Sequence, residues 1–253
     1  MRNRYIVALQ YDLPYKGSLK TTIRTKIPMT TERLLYHVWL SPFSRKIILA
    51  LGEKKLAYKG IIEKVWERRQ EFYALNCAGQ VPVLVDEDGT VIADSNVLVE
   101  YLEEVYPEVN LLGKTPAERA EARRITAWFD QKFNKEVTAN LLDEKVFRRL
   151  FSKGTPNSMA LRAGAANITY HLDYITFLVD RRKWLAGDEL TVADLAAAAH
   201  LSALDYLGHV PWEQHEITKE WYSRVKSRPS FRPLLQERMP ALAPVPHYAD
   251  LDF

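Results

Sequence analysis

Cysteine is nearly absent: Cys77 stands alone in 253 residues. A single thiol excludes any intrachain disulfide, and the scarcity favours an intracellular home. No apolar run approaches the roughly 20 residues that a helix needs to cross a bilayer, so no membrane insertion is expected. Charge of one sign is not in large excess. Lys and Arg number 35 against 32 Asp and Glu, a net charge of +3. That is too slight to argue for nucleic acid without a clustered basic face. The six histidines, at 37, 171, 200, 209, 215 and 247, show no ligand-like spacing, and no metal site is expected. No internal repeat is present. What remains is length and apolar content. With 47% hydrophobic residues the chain has material for one large domain or two ordinary ones.

The first 28 residues differ from the rest. They hold Arg2, Arg4, Lys16, Lys20, Arg24 and Lys26 against one acid, Asp12. Their apolar stretch, Ile6-Val7-Ala8-Leu9, is shorter than a signal-peptide core of about 7–15 residues. The leader, residues 1–30, reads as a disordered basic tail or as the product of an upstream start, with translation properly beginning at Met29. A targeting peptide or an arm for an anionic partner are the alternatives.

Beyond it, Leu34 to Val38 reads as a short buried strand. Ser41-Pro42 begins a helix, with the hydroxyl capping free N–H groups and Pro at the first helical position. Tyr58 to Ile62 gives a second strand and completes a βαβ unit. Gln80 to Val85 and Thr90 to Ala93 flank Asp88-Gly89, a hairpin signal, so these two strands should be antiparallel. A helix follows Asp94-Ser95 and ends at Pro107. After a linker over 107–115 no strand pattern appears. Helices are expected over 116–149, 157–182, 191–207 and 213–227, the third apolar nearly all round and therefore buried. Residues 236–253, punctuated by Pro240, Pro244 and Pro246, read as an extended tail. The division is thus 31–108, 116–235 and the tail.

Four local signals could carry chemistry or structure. Thr191-Val192-Ala193-Asp194 resembles a reciprocal capping box, a helix nucleus. Pro82 at a strand start is either an ordinary trans proline or a cis bond that turns the Val81 backbone outward for a peptide-like ligand. Asp94-Ser95 is a plain cap or a carboxylate site at a helix N-terminus. Ser41 is a cap or a hydroxyl that donates to a thiolate. It has no acid–base partner in the sequence, so serine-hydrolase chemistry is unsupported. Cys77 reads as a small buried hydrophobe.

In this order and spacing, the four signals resemble the glutathione S-transferase family, over about Leu34 to Leu235. The resemblance implies an α/β, thioredoxin-like first domain followed by an all-helical domain. It implies a cis Val81-Pro82 bond, glutathione held by Val81, Pro82, Asp94 and Ser95, and a catalytic role for Ser41 if the chain is an enzyme. Thr191 and Asp194 would be structural. Asn76-Cys77 stands where the family has Asn-Pro, and Asn96-Val97 departs from the usual residues after Ser95.

Longer strings carry a narrower resemblance. Lys64-Val65-Trp66-Glu67-Arg68-Arg69, Trp128 to Val137, Lys226 to Pro233 and His247 to Phe253 look like the bacterial cell-division branch of that family. This branch implies a cytoplasmic homodimer, recruited to the division site, that binds FtsZ filaments and needs no cofactor. Active transferase chemistry on a small electrophile is the other reading. On the binding reading, two surfaces are candidates for the partner. One is Trp39 and Phe133, aromatics expected near the cleft mouth. The other is the tail, with Tyr248, Leu251 and Phe253 as apolar anchors between Asp250 and Asp252.

Overall fold

Leu34–His37 forms the first strand, β1, of a computed structural model that describes residues 32–151, 154–240 and 242–251. The leader, Asp252 and Phe253 lie outside the described residues. Strands β2 (Lys59–Ile62), β3 (Val83–Val85) and β4 (Val91–Ala93) complete a four-stranded sheet of order β2-β1-β3-β4. β1 and β2 are parallel, while β3 is antiparallel to both β1 and β4. The register sets Leu35 opposite Leu84, and Leu84 opposite Ile92. These three buried side chains share one core with Ile47 and Leu51 of helix α1 (Pro42–Glu53) and with Leu98 and Leu102 of helix α3 (Ser95–Val105). A short helix, α2 (Gln70–Leu75), precedes β3. It has too few turns to show a period in the sequence.

The second domain is all helix. α4 (Pro116–Ala127) starts at a capping box between Thr115 and Glu118. It runs without a break through a π-helical stretch, Trp128–Phe147, into α5 (Arg148–Leu150). At the end of the stretch the Arg148 N–H bonds the Asp143 carbonyl, an i→i−5 step. The buried residues, Phe129, Asp130, Phe133, Val137, Thr138, Leu141, Leu142 and Val146, recur at steps of one, three and four and make one face of the helix. α6 (Ser158–Val179) packs on the π-helical stretch and on α8 (Glu216–Lys226), and α7 (Val192–Tyr206), in which every residue is buried, packs against α4, the π-helical stretch and α8. Thr191 and Asp194 make the capping box of α7. Asp194 also accepts from the Leu185 N–H (2.9 Å) and the Trp221 indole (3.0 Å), so it ties α8 to the start of α7.

The two domains meet where α1 packs on α7. That contact explains two buried cations on α1. Lys46 pairs with Asp130, and Arg45 donates to Ser202 Oγ on α7 at 2.8 Å.

The expected extended tail is corrected. After α9 (Arg232–Gln236) the chain folds back over the helical domain. Met239 and Leu242 form a bridge, and Pro246–Ala249 makes a turn of 3-10 helix. Tyr248 is wholly buried against Tyr206, with ring centroids 5.1 Å apart. The prolines do prevent a long helix, but an irregular chain can still pack when its side chains have holes to fill. No described helix is long and apolar enough to cross a membrane.

Candidate functional site

A cleft of about 1010 Å³ opens between the domains. Its floor comes from the first domain: Ser41, Val81, Pro82, Asp94 and Ser95 all line it. The residues singled out for glutathione are 54 positions apart in the chain at their extremes, and the sheet brings them to one place.

Each is delivered by a local device. Ser41 caps α1, and its Oγ accepts from the Ser44 N–H at 3.3 Å, which leaves the hydroxyl hydrogen free to donate. Leu40, just before it, holds φ +60°, a conformation that costs a non-glycine residue on the order of 1 kcal/mol. Val81-Pro82 is cis. The turn that delivers it is tied by Asn76, whose side chain donates to the Gln80 carbonyl (2.8 Å) and accepts from the Ala78 N–H (3.1 Å). Gly79 in that turn has φ +64°, and a Cβ there would lie 2.9 Å from the Tyr73 ring. Only glycine fits. No hydrogen bond among the described residues engages the Val81 backbone, which is therefore open to a strand-like ligand.

Asp94 is the N-cap of α3, with φ +76°, and its Oδ1 accepts from the N–H groups of Asn96 (2.8 Å) and Val97 (3.2 Å). The Ser95 N–H and hydroxyl have no partner among the described residues and face the cleft. A carboxylate seated there would meet free donors at the positive end of α3. Asp94 itself is exposed and offers its second oxygen to an ammonium group.

Sequence reasoning missed part of the wall. Arg68 lines the cleft with φ +50° and no ion pair among the described residues. Its neighbour Arg69 is engaged with the buried Glu63 carboxylate, so the loop is anchored while Arg68 stays free. The run Lys64 to Arg69 is mostly charged and lacks a period, which reads as a solvated face. The opposite wall is Asp143, Glu144, Phe147, Arg148 and Phe151 from the helical domain. Trp66 meets Phe151 edge-on, 5.9 Å between centroids, and joins the two domains at the cleft.

The expected partner anchors separate. Phe133 is corrected: it is wholly buried between His171 and His200, at 5.0 and 5.6 Å. Four residues after Phe129 and four before Val137, it shares their buried face. Trp39 is half-buried and lines a second groove of about 580 Å³, with His37, Tyr58 and Pro233, rather than the cleft. Its placement at the cleft mouth is corrected: it sits in the turn between β1 and α1, in the groove that α9 also lines. Tyr248 is corrected likewise, being core. Asp250 and Leu251 are exposed, and Asp252 and Phe253 lie outside the described residues. Cys77 is exposed in the 76–80 turn, against the expectation of burial, because that turn stands off the sheet. No cluster of metal-ligating side chains occurs among the described residues.

Two family profiles match the chain. Residues 40–105 match "Glutathione S-transferase, N-terminal domain", and residues 169–229 match "Glutathione S-transferase, C-terminal domain". FtsZ-localized protein A of Caulobacter vibrioides is 49% identical over 228 residues, covering 89% of this chain and all of that protein. Among solved structures, a glutathione S-transferase from Rhodospirillum rubrum F11 superposes with TM-score 0.86. It is 57% identical, over 87% of this chain and all of that one. FzlA from C. crescentus superposes with TM-score 0.85 at 49% identity, over 88% of this chain and all of its own length.

Proposed function

This chain belongs to the glutathione S-transferase family, and we propose that within it the chain is an FtsZ-binding protein that promotes cell division without needing transferase chemistry. One observation carries the reading: the 49% match runs the whole length of a protein named for its localisation with FtsZ. The C-terminus supports it. Tyr248 anchors the fold-back, and the described residues after it, Ala249, Asp250 and Leu251, are exposed. An acidic and apolar segment on a fixed base suits a short recognition element. Co-sedimentation with polymerised FtsZ tests the proposal. The full chain should pellet with the filaments, and a chain ending at Ala249 should not.

We also read the chain as a homodimer. Val97 and Val105 of α3, with Tyr170 and Phe177 of α6, are large apolar side chains left exposed. Such side chains suit a self-complementary two-fold interface. Light scattering that reports a monomer at micromolar concentration would exclude it.

The enzyme reading keeps one observation of its own. Ser41, Val81, Asp94, Ser95 and the free Arg68 converge on a single cleft. The arrangement would let Ser41 donate to a glutathione thiolate while the peptide runs along Val81. Robust conjugation of an aryl halide, lost in Ser41→Ala, would promote this reading over the first.

A further inference from the structure

Ser41 lines the cleft directly after Leu40, which adopts a backbone conformation that a bulky residue avoids, φ +60°. Strain of this kind persists where the surroundings over-determine it. The surroundings of Leu40 are not those of the sheet it has just left. Its side chain is buried with Leu142, Tyr206, Met239 and Tyr248, which belong to the helical domain and the fold-back. Its N–H donates to Glu237 Oε2 at 3.2 Å. The same oxygen accepts from Arg45 Nη2 at 2.5 Å. Arg45 is wholly buried on α1, the helix that Ser41 caps, and it also donates to Tyr248 Oη at 3.2 Å. One carboxylate from the end of the chain therefore grips both flanks of Ser41: the N–H of the residue before it and the side chain four residues after it.

We propose that Glu237 is a positioning residue for Ser41, and that the fold-back Glu237–Tyr248 thereby sets the geometry of one wall of the cleft. The proposal rests on the reading that Ser41 faces a ligand there. The bond to Arg45 strengthens the seat of the carboxylate, but it is the Glu237 side-chain oxygen itself that holds the Leu40 N–H where the left-handed turn needs it. Without that acceptor Leu40 relaxes toward negative φ and carries the Ser41 hydroxyl off its aim. Any event that loosens Tyr248 then weakens ligand binding in the cleft, and by reciprocity a bound ligand tightens the fold-back.

Glu237→Gln alone leaves Arg45 buried without a counter-charge, which threatens folding by itself. The test therefore compares two double variants of the full chain, Arg45→Met with Glu237→Gln and Arg45→Met with Glu237→Leu. Both lack the ion pair, but only the Gln variant keeps an oxygen for Leu40. Backbone NMR should show the Leu40 amide exchanging about tenfold faster in the Leu variant than in the Gln variant. The Ser41 amide resonance should move in the Leu variant and not in the Gln variant. Glutathione, titrated as the probe, should bind roughly fivefold more weakly to the Leu variant, with the two unfolding temperatures close. Equal Leu40 exchange in both variants would overturn the proposal. So would a loosened Leu40 with unchanged glutathione affinity. If the native chain binds no glutathione at all, the ligand reading falls, and Leu40 exchange with the Ser41 shift decides the positioning role alone.

Discussion

Lys46 and Asp130 form an ion pair inside the domain junction, one from α1 and the other from the π-helical stretch, both buried. Lys46 also donates to Asn96 Oδ1 at 2.8 Å, so α3 is drawn into the same contact. Burial penalises the Asp130 carboxylate, but Lys46 and His200 outweigh the penalty and hold its pKa below the ordinary value. Breaking such a pair leaves a buried charge uncompensated. Asp130→Ala should cost about 3–5 kcal/mol in urea unfolding. Replacing both partners, Lys46→Met with Asp130→Leu, should recover most of the loss. The sign with pH follows from the lowered pKa. The Asp130 contribution is complete above its unfolded value of 3.8 and is lost as pH falls through the lower folded value. An Asp130→Asn variant should lack that acid step.

The histidines set a second, milder acid dependence. Burial, with Lys145 adding to it, holds His209 down to about 4. Burial likewise lowers His37, His171 and His200. Each takes up a proton more readily in the unfolded chain, whose ordinary value is 6.5. Stability should therefore be full above 6.5 and decline as pH falls toward 4. Thermal unfolding followed across that range should show the decline, and His209→Gln should make it shallower. A melting temperature that stays level down to pH 4 would contradict the burial of these rings.

Phe133 and Tyr248 are core residues, which separates their variants from surface ones. Phe133→Ala and Tyr248→Ala should each cost about 3–5 kcal/mol, as large aromatic deletions do. Asp250→Ala with Leu251→Ala should leave the melting temperature within a degree or two. The same surface pair should weaken pelleting with FtsZ filaments. If Tyr248→Ala melts like the native chain, the fold-back is not packed as described.

The legible parts of the molecule were those satisfied locally. Ser41-Pro42, Asp94-Ser95 and the Thr191/Asp194 box each make a cap hydrogen bond within three residues, so spacing alone reveals them. The hairpin at Asp88-Gly89 is local for the same reason. The spacing of Phe129, Phe133 and Val137, four apart, puts them on one helix face, but spacing does not say which face the core covers, so the burial of Phe133 was not legible. Tyr248 was not legible either. Its partner Arg45 lies 203 positions away, and prolines nearby argue for an extended chain until that partner is known. Arg68 was hidden by composition, since Arg68 and Arg69 look alike until one is seen to hold Glu63 and the other to stand free.

Ser95 offers the sharpest check on ligand chemistry in the cleft. Its N–H and hydroxyl are the free donors at the start of α3. Ser95→Ala removes one hydrogen bond to a bound carboxylate, worth about 1.5–3 kcal/mol when the acceptor is charged. Glutathione followed by tryptophan fluorescence should bind about tenfold or more weakly to the variant. Equal affinity would place the ligand elsewhere.

The measurement that bears most directly on the account is co-sedimentation of the full chain and of its Ser41→Ala variant with polymerised FtsZ. Binding to the filament, not chemistry at Ser41, is the proposed function, so both proteins should enter the pellet to the same extent at matched concentrations. A native chain that stays in the supernatant with the filaments, or a Ser41→Ala variant that alone fails to pellet while remaining folded, would contradict it.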